Sequence, residues 1–301
     1  MLSILIPTYN YNVFPLVTEL KNQADTLEIA YEILVQDDAS DLFINQNAEI
    51  NLLPYCSYTL NHEKLGRGNN INLLNSLAKY NYVLIMEADA FPEKKTYVKD
   101  LILAINQENQ VVFGGVTYDT KKPDSDKLLR WKYGQERESI SIIERKKNPY
   151  HFVFTWNLLI KKQLLSKYPF PSNIKNYGYE DVVFIKQLKQ NNITIEHIEN
   201  KLIHLNSETS LTFIKKTENA VSTLNQLILS NKLEMSDTKI GKAFKVIHFF
   251  KLQNVVRYIF KKLAKKMINN LTSSNPSIIV LDLYKLGYFC NLRQNENTFN
   301  Q

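Results

Sequence analysis

Short apolar runs punctuate the first half of the chain. Leu2–Ile6 stops at Pro7, and similar runs follow at Tyr31–Gln36, Tyr82–Met86 and Val111–Val116. Their brevity and near-continuous apolarity predict strands buried on both faces. Between them the spacing changes. Ile71, Leu74, Leu77 and Ala78 share one helical face within Asn70–Lys79, as do Tyr97, Leu101, Ala104 and Ile105 within Thr96–Gln107. Strands alternating with helices predict an α/β fold around a largely parallel sheet.

The second half reads differently. Asp119–Pro149 is polar, basic and without periodicity, and predicts a long loop of the kind that closes over sites. Phe152–Ile160 reads as a strand, Glu180–Gln190 as a helix, and Ile193–Ile198 and Lys201–Leu205 as short strands. From Glu208 onward the pattern is helical, with Ile214, Val221, Leu224 and Leu227 on one face.

In such sheets ligands gather where strands end. Here the ends carry Pro7-Thr8-Tyr9-Asn10, Asp37-Asp38-Ala39-Ser40 and Glu87-Ala88-Asp89. Any one of these is equally a cap or turn. Three together predict one polar crevice. Glu87 and Asp89 are alternate residues and, on a strand, would face the same way. Two such carboxylates suit a hard cation shared with phosphates, Mg²⁺ or Mn²⁺. Glu180-Asp181, after Gly178, serves either a helix N-terminus or general-base chemistry. Trp156 suits either the core or stacking on a sugar's C–H face. Arg130, Lys132 and Arg137, inside the predicted loop, suit either a solvated face or contact with a diphosphate.

Composition narrows the class. Of 301 residues, 44% are hydrophobic and 22% charged, which excludes a disordered chain. Two cysteines, Cys56 and Cys290, exclude a disulfide framework and point to a reducing compartment. No apolar run approaches the roughly 20 residues of a membrane span, and the N-terminus lacks a basic leader. A cytoplasmic protein is expected, peripheral to the inner face of the cell membrane at most.

Read together and in order, the motifs resemble family 2-type glycosyltransferases of the GT-A fold. They are Ser3–Asn10, Gln36–Ser40, Leu65-Gly66-Arg67-Gly68, Leu84–Ala90, Tyr177-Gly178-Tyr179-Glu180-Asp181 and His204. The resemblance spans about residues 1–230 and makes these a GT-A catalytic domain, with residues 231–301 as a helical extension. It implies a UDP-sugar donor, an inverting transfer to a glycan or lipid-linked hydroxyl, and a Mn²⁺ or Mg²⁺ ion. Pro7, Thr8 and Tyr9 would line the nucleoside pocket, Asp38 would accept from the base, and Arg67 and Ala88 would lie by the nucleotide. Glu87 would face the ribose or a metal-bound water, and Asp89 and His204 would bind the metal. The galactosyltransferase-like Gly-x-Glu-Asp motif would make Glu180 an acceptor contact and Asp181 the base. The chain departs from the usual pattern in having Glu-Ala-Asp for Asp-x-Asp, and in lacking an arginine within Asn70-Ile71-Asn72.

The net charge of +7 at first points to a nucleic-acid binder. Its distribution opposes that reading. Residues 232–270 hold ten Lys and Arg against two acids, so the first 231 residues are close to neutral, with acids where a nucleic-acid platform needs cations. No nucleic-acid partner is expected. The intact Asp38, Asp89, Glu180 and Asp181 also oppose an inactive sugar-nucleotide binder. The basic segment is amphipathic, with Leu252, Val255, Val256, Ile259, Phe260, Leu263 and Met267 at helical spacing. It suits an anionic membrane surface, or a helix packed on the rest of the chain with its lysines in water.

Overall fold

A computed structural model describes residues 1–105, 110–172, 178–205 and 208–297, the last helix with side chains to Arg293. The all-buried run Leu2–Thr8 forms strand β1. Helix α1 (Phe14–Asp25) carries a proline in its first turn, where no backbone donor is needed, and leads to β2 (Tyr31–Asp37). Helix α2 (Ile44–Ala48), strand β3 (Cys56–Leu60), helix α3 (Arg67–Leu77), strands β4 (Tyr82–Met86) and β5 (Ala90–Pro92) and helix α4 (Tyr97–Ala104) follow. The end expected for the last helix, Asn106-Gln107, lies outside the described residues.

Beyond these come β6 (Val111–Phe113), β7 (Val116–Tyr118), α5 (Leu128–Arg137), α6 (Ile142–Lys147), β8 (Asn157–Lys161) and α7 (Lys162–Lys167). The chain continues through α8 (Glu180–Gln190), β9 (Ile195–His197), β10 (Leu202–His204) and α9 (Ser210–Leu229), whose N-terminus Thr209 caps. Helices α10 (Lys239–Phe249), α11 (Gln253–Leu271) and α12 (Ile278–Asn297) complete it.

The large sheet is mixed, in the order β3-β2-β1-β4-β8-β6-β9. β1 lies parallel between β2 and β4, with Ile4 opposite both Ile33 and Leu84. The chain thus runs outward on one side of β1 and then restarts on the other. In open α/β sheets such a reversal is where ligands bind, here at the C-terminal ends of β1 and β4. β8 runs antiparallel to both β4 and β6. A second sheet, β5-β10-β7, pairs His204 with Ala90 on one side and with Tyr118 on the other.

Three expectations are corrected. Val111–Val116 is two strands in two sheets, because Gly115 takes a φ of +91° and turns the chain. The strand expected from Phe152 begins at Asn157. Asp119–Pro149 is no long loop but holds α5 and α6, the latter with Arg145 1% exposed. A buried arginine supplies no apolar period, which hid this helix from the sequence pattern.

Two compact units divide the chain. One comprises Met1–Asp119, Arg137–Lys175 and Phe184–Leu205, with both sheets and the main core. The other comprises Thr120–Glu136, Asn176–Val183 and Asn206–Gln301. Its core joins Leu129 of α5, Phe213 and Ile214 of α9, Phe260 of α11, and Leu281 and Tyr284 of α12. The division expected at residue 230 therefore shifts: α9 goes with the C-terminal helices, because they cover its apolar face. Arg130 and Lys132 sit in this unit, the first stacked on the Phe213 ring at 5.2 Å, the second donating to the Pro276 carbonyl at 2.9 Å. Among the described residues no helix is long and apolar enough to cross a membrane.

Candidate functional site

The loops after β1 and β2 are stitched together. Asn10, at a φ of 49°, donates its backbone N–H to Ser40 Oγ, and its side-chain oxygen accepts from the amides of Asp41 and Leu42. Pro7 is buried opposite Gln36. Thr8 is also buried, and its hydroxyl finds no hydrogen-bond partner among the described residues. Tyr9 is exposed. Its hydroxyl accepts from Lys64 Nζ at 2.5 Å, and the ammonium also lies 4.1 Å from the ring centroid.

The aspartate that ends β2 and the one that follows it divide the work. Asp37 is fully buried and accepts from the Tyr58 hydroxyl at 2.7 Å and the Ser40 amide at 2.9 Å. Asp38 is half-buried and accepts from the amides of Leu65 (2.6 Å) and Gly66 (3.1 Å). It fixes the loop that leads into Arg67 and α3.

The acidic triplet departs from the strand geometry expected of it. β4 ends at Met86, and Glu87-Ala88-Asp89 is a turn closed by the Ala90 amide on the Glu87 carbonyl at 3.2 Å. Ala88 packs into the core. The turn sends the two carboxylates to different partners. Glu87 pairs with Arg67 at 2.7 Å, tying the end of β4 to the start of α3. Asp89 lies 3.5 Å from His204 Nε2.

Pairing of β5 with β10 brings these last two residues together, since His204 is opposite Ala90 and the Leu205 amide donates to the Asp89 carbonyl at 2.7 Å. His204 is only 7% exposed. Tyr118 stacks on its ring at 5.2 Å between centroids, and Trp156 meets it edge-on at 5.7 Å. Tyr118 is itself held by donating to the Glu138 carboxylate. Trp156, 6% exposed, thus presents little surface for a sugar to cover. Tyr11 was not anticipated from the sequence, although it directly follows Asn10. Burial, and then the negative charge of Asp89, push its hydroxyl above the ordinary tyrosine value.

Within the second unit, Glu180 opens α8. It is buried, and its carboxylate accepts from the Gly178 amide at 3.0 Å, closing its own loop. Gly178 is required there: its φ is +106°, and a Cβ would lie 2.6 Å from the Ala220 Cβ. Asp181, the next residue, is half-buried. Tyr177, part of the same motif, lies outside the described residues.

Residues 3–168, more than half the chain, match the family model of Glycosyl transferase family 2. The chain belongs to that family. This family 2 glycosyltransferase has no match among curated protein sequences. Solved structures share its GT-A architecture at low identity. The mannosyltransferase PcManGT from Pyrobaculum calidifontis, solved with GDP-Man and Mn²⁺, is 13% identical, with a TM-score of 0.58 over 100% of this chain and 87% of that one. The mannosyl-3-phosphoglycerate synthase from Rubrobacter xylanophilus is 15% identical, with a TM-score of 0.54 over 77% of this chain and 75% of its own. The S. aureus TarS structure is 19% identical, with a TM-score of 0.48, and there the chain spans only 38% of its length.

Proposed function

We propose that this glycosyltransferase moves a sugar from a UDP-sugar to a hydroxyl of a glycan or lipid-linked saccharide, inverting the anomeric centre, with a divalent cation bound by Asp89 and His204. The observation that carries this reading is the 3.5 Å approach of a carboxylate oxygen, in the turn after β4, and an imidazole nitrogen at the end of β10. An oxygen and a nitrogen so placed are a chemically apt pair for one six-coordinate ion, and the mixed set favours Mn²⁺ over Mg²⁺. Among the described residues no three His, Cys, Asp or Glu side chains converge, so substrate phosphates would complete the coordination. Bound there, the ion would neutralise charge developing on the departing diphosphate. The Pyrobaculum mannosyltransferase, with its GDP-Man and Mn²⁺, supports a nucleotide-sugar donor.

The chain's own residues supply the rest. Thr8 offers a buried hydroxyl to the nucleotide, which relieves the cost of leaving it unpaired. Tyr9, exposed beside Lys64, offers a ring to the nucleobase, and Asp38 orders the loop that presents Arg67. Asp181 would take the proton of the attacking hydroxyl. A single displacement by that hydroxyl inverts the centre and requires one such carboxylate, unlike the pair in a hydrolase. Glu180, held by the Gly178 amide, supports the loop and would contact the acceptor.

The test is UDP release from a panel of UDP-sugars in Mn²⁺, with acceptor present. Asp181→Asn should retain donor binding while transfer falls by about 10²–10⁴-fold. Asp89→Ala should abolish the response to Mn²⁺. Wild-type transfer by Asp181→Asn would refute the base assignment, and unchanged Mn²⁺ dependence in Asp89→Ala would refute the metal site.

A further inference from the structure

We infer that the corner between α10 and α11, with the outer faces of both helices, is a docking surface for an anionic lipid bilayer. These helices belong to the second unit, whereas Asp89 and His204 belong to the first, and the inference does not depend on the proposed roles of Asp89 or Asp181.

The corner is built from four consecutive exposed residues, Phe249-Phe250-Lys251-Leu252. Phe249 is 80% exposed and Phe250 62%, with the rings edge to face at 5.2 Å. Lys251 takes a φ of 56°, which turns the chain and leaves both rings at the tip. On α10, Lys242, Lys245, Val246 and Phe249 fall at i, i+3, i+4 and i+7 and are all exposed. On α11 the outer stripe continues through Val255, Tyr258, Ile259, Lys262, Leu263 and Lys266.

A helix packed on a globular core needs one apolar stripe. α11 already has one. Phe260 is buried against Tyr284, 5.3 Å between centroids, and Gly287 lets the helices approach, since a Cβ there would lie 2.5 Å from the Phe260 ring. The Val255–Lys266 stripe is a second one, on the side away from Phe260, and it needs a separate explanation.

The lysines decide which occupant fits. Among the described residues, Lys242, Lys245, Lys251, Lys262 and Lys266 form no ion pair with an acidic side chain, although Lys262 lies over the Tyr258 ring at 4.7 Å. A protein interface disfavours lysine amid its apolar centre. Single-stranded nucleic acid needs aromatic platforms, whereas much of this stripe is Val, Ile and Leu. Apolar side chains interleaved with long cations suit the boundary between acyl chains and anionic headgroups, where the ammonium groups reach outward to phosphate. The excess of ten cations over two acids in residues 232–270 adds long-range attraction to a negative surface.

The full-length protein should float with vesicles of phosphatidylcholine containing phosphatidylglycerol at low ionic strength. It should not float with phosphatidylcholine alone, and high salt should release it. Lys262→Gln with Lys266→Gln should weaken partitioning about 30-fold. Phe249→Ser with Phe250→Ser should weaken it at least about tenfold. All four positions are exposed, so both variants should melt as the wild type does and release UDP in solution at its rate. Failure to bind anionic vesicles at low salt, or variants that float like the wild type, would overturn the proposal. So would an oligonucleotide gel shift, or a dimer, that these variants abolish while flotation persists.

Discussion

His197 and His204 show how one residue type acquires two fates. Their local sequences are nearly alike, Ile-Glu-His-Ile and Leu-Ile-His-Leu, and both are buried strand ends. What separates them physically is the polar group each ring meets. His204 faces Asp89. His197 sits between Arg145, which can only donate, and the Pro149 carbonyl, which can only accept. This fixes the proton on Nε2 and leaves Nδ1 to accept from the guanidinium. Burial, and then the Arg145 charge, lower the pKa of His197 below its ordinary 6.5, with the Pro149 carbonyl opposing. The sign follows from linkage. Below about pH 6.5 the unfolded chain takes up a proton that the folded chain refuses, so the stabilisation present at neutral pH is lost as pH falls. Urea midpoints should therefore decline from about pH 7 to about pH 5, with a slope from this group of up to about 1.4 kcal/mol per pH unit. His197→Gln should flatten that decline, and an unchanged slope would show that His197 carries none of it.

At the scale of elements, the sequence pattern located strands well where both faces are buried, and poorly where one is not. β1 and β4 were legible because every position is apolar or nearly so. β3, Cys-Ser-Tyr-Thr-Leu, sits at the sheet edge with only Tyr58 buried, and no apolar run marks it. The break between β6 and β7 was hidden because Gly114-Gly115 interrupts an otherwise valine-rich run. It matters for the site, since β7 pairs with β10 and carries Tyr118 onto His204. The turn is locked from inside: the Asn157 side-chain amide donates to the Gly115 carbonyl at 2.6 Å, and Arg145 donates to the Ile198 carbonyl at 3.0 Å. A Cβ on Gly115 would lie 2.7 Å from Arg145 Nη2 in a backbone conformation that disfavours any side chain. Gly115→Ala should then cost roughly 2–5 kcal/mol, from strain and overpacking together. Chemical denaturation reads this directly. A cost under about 1 kcal/mol would mean that the turn relaxes freely.

For the whole molecule, the charge pattern was legible and the division into units was not. Counting lysines placed the basic segment correctly because charge needs no contact map. A boundary at residue 230 looked natural because composition changes there. Yet what binds α9 is tertiary: besides Leu129 of α5, Phe213 and Ile214 share their core with Phe260, Leu271, Ile278, Leu281 and Tyr284, five side chains from beyond that boundary. Helical spacing reports that a face is apolar, never what covers it. Those five side chains, at about 1.5–3 kcal/mol each when fully buried, amount to some 8–15 kcal/mol as an upper bound. That is of the order of an entire domain's stability. The C-terminal helices are therefore structural parts of the second unit, which also holds the Gly178–Asp181 motif. A chain ending at Ser230 should lose the cooperative unfolding of that unit, and limited proteolysis should cut within residues 120–136 and 210–229. It should also lose transfer activity, although the mixed sheet and the Asp89–His204 pair lie wholly in the other unit. A truncated chain that stays soluble, resists protease in both segments and transfers sugar at the full rate would show instead that residues 231–301 are a detachable appendage.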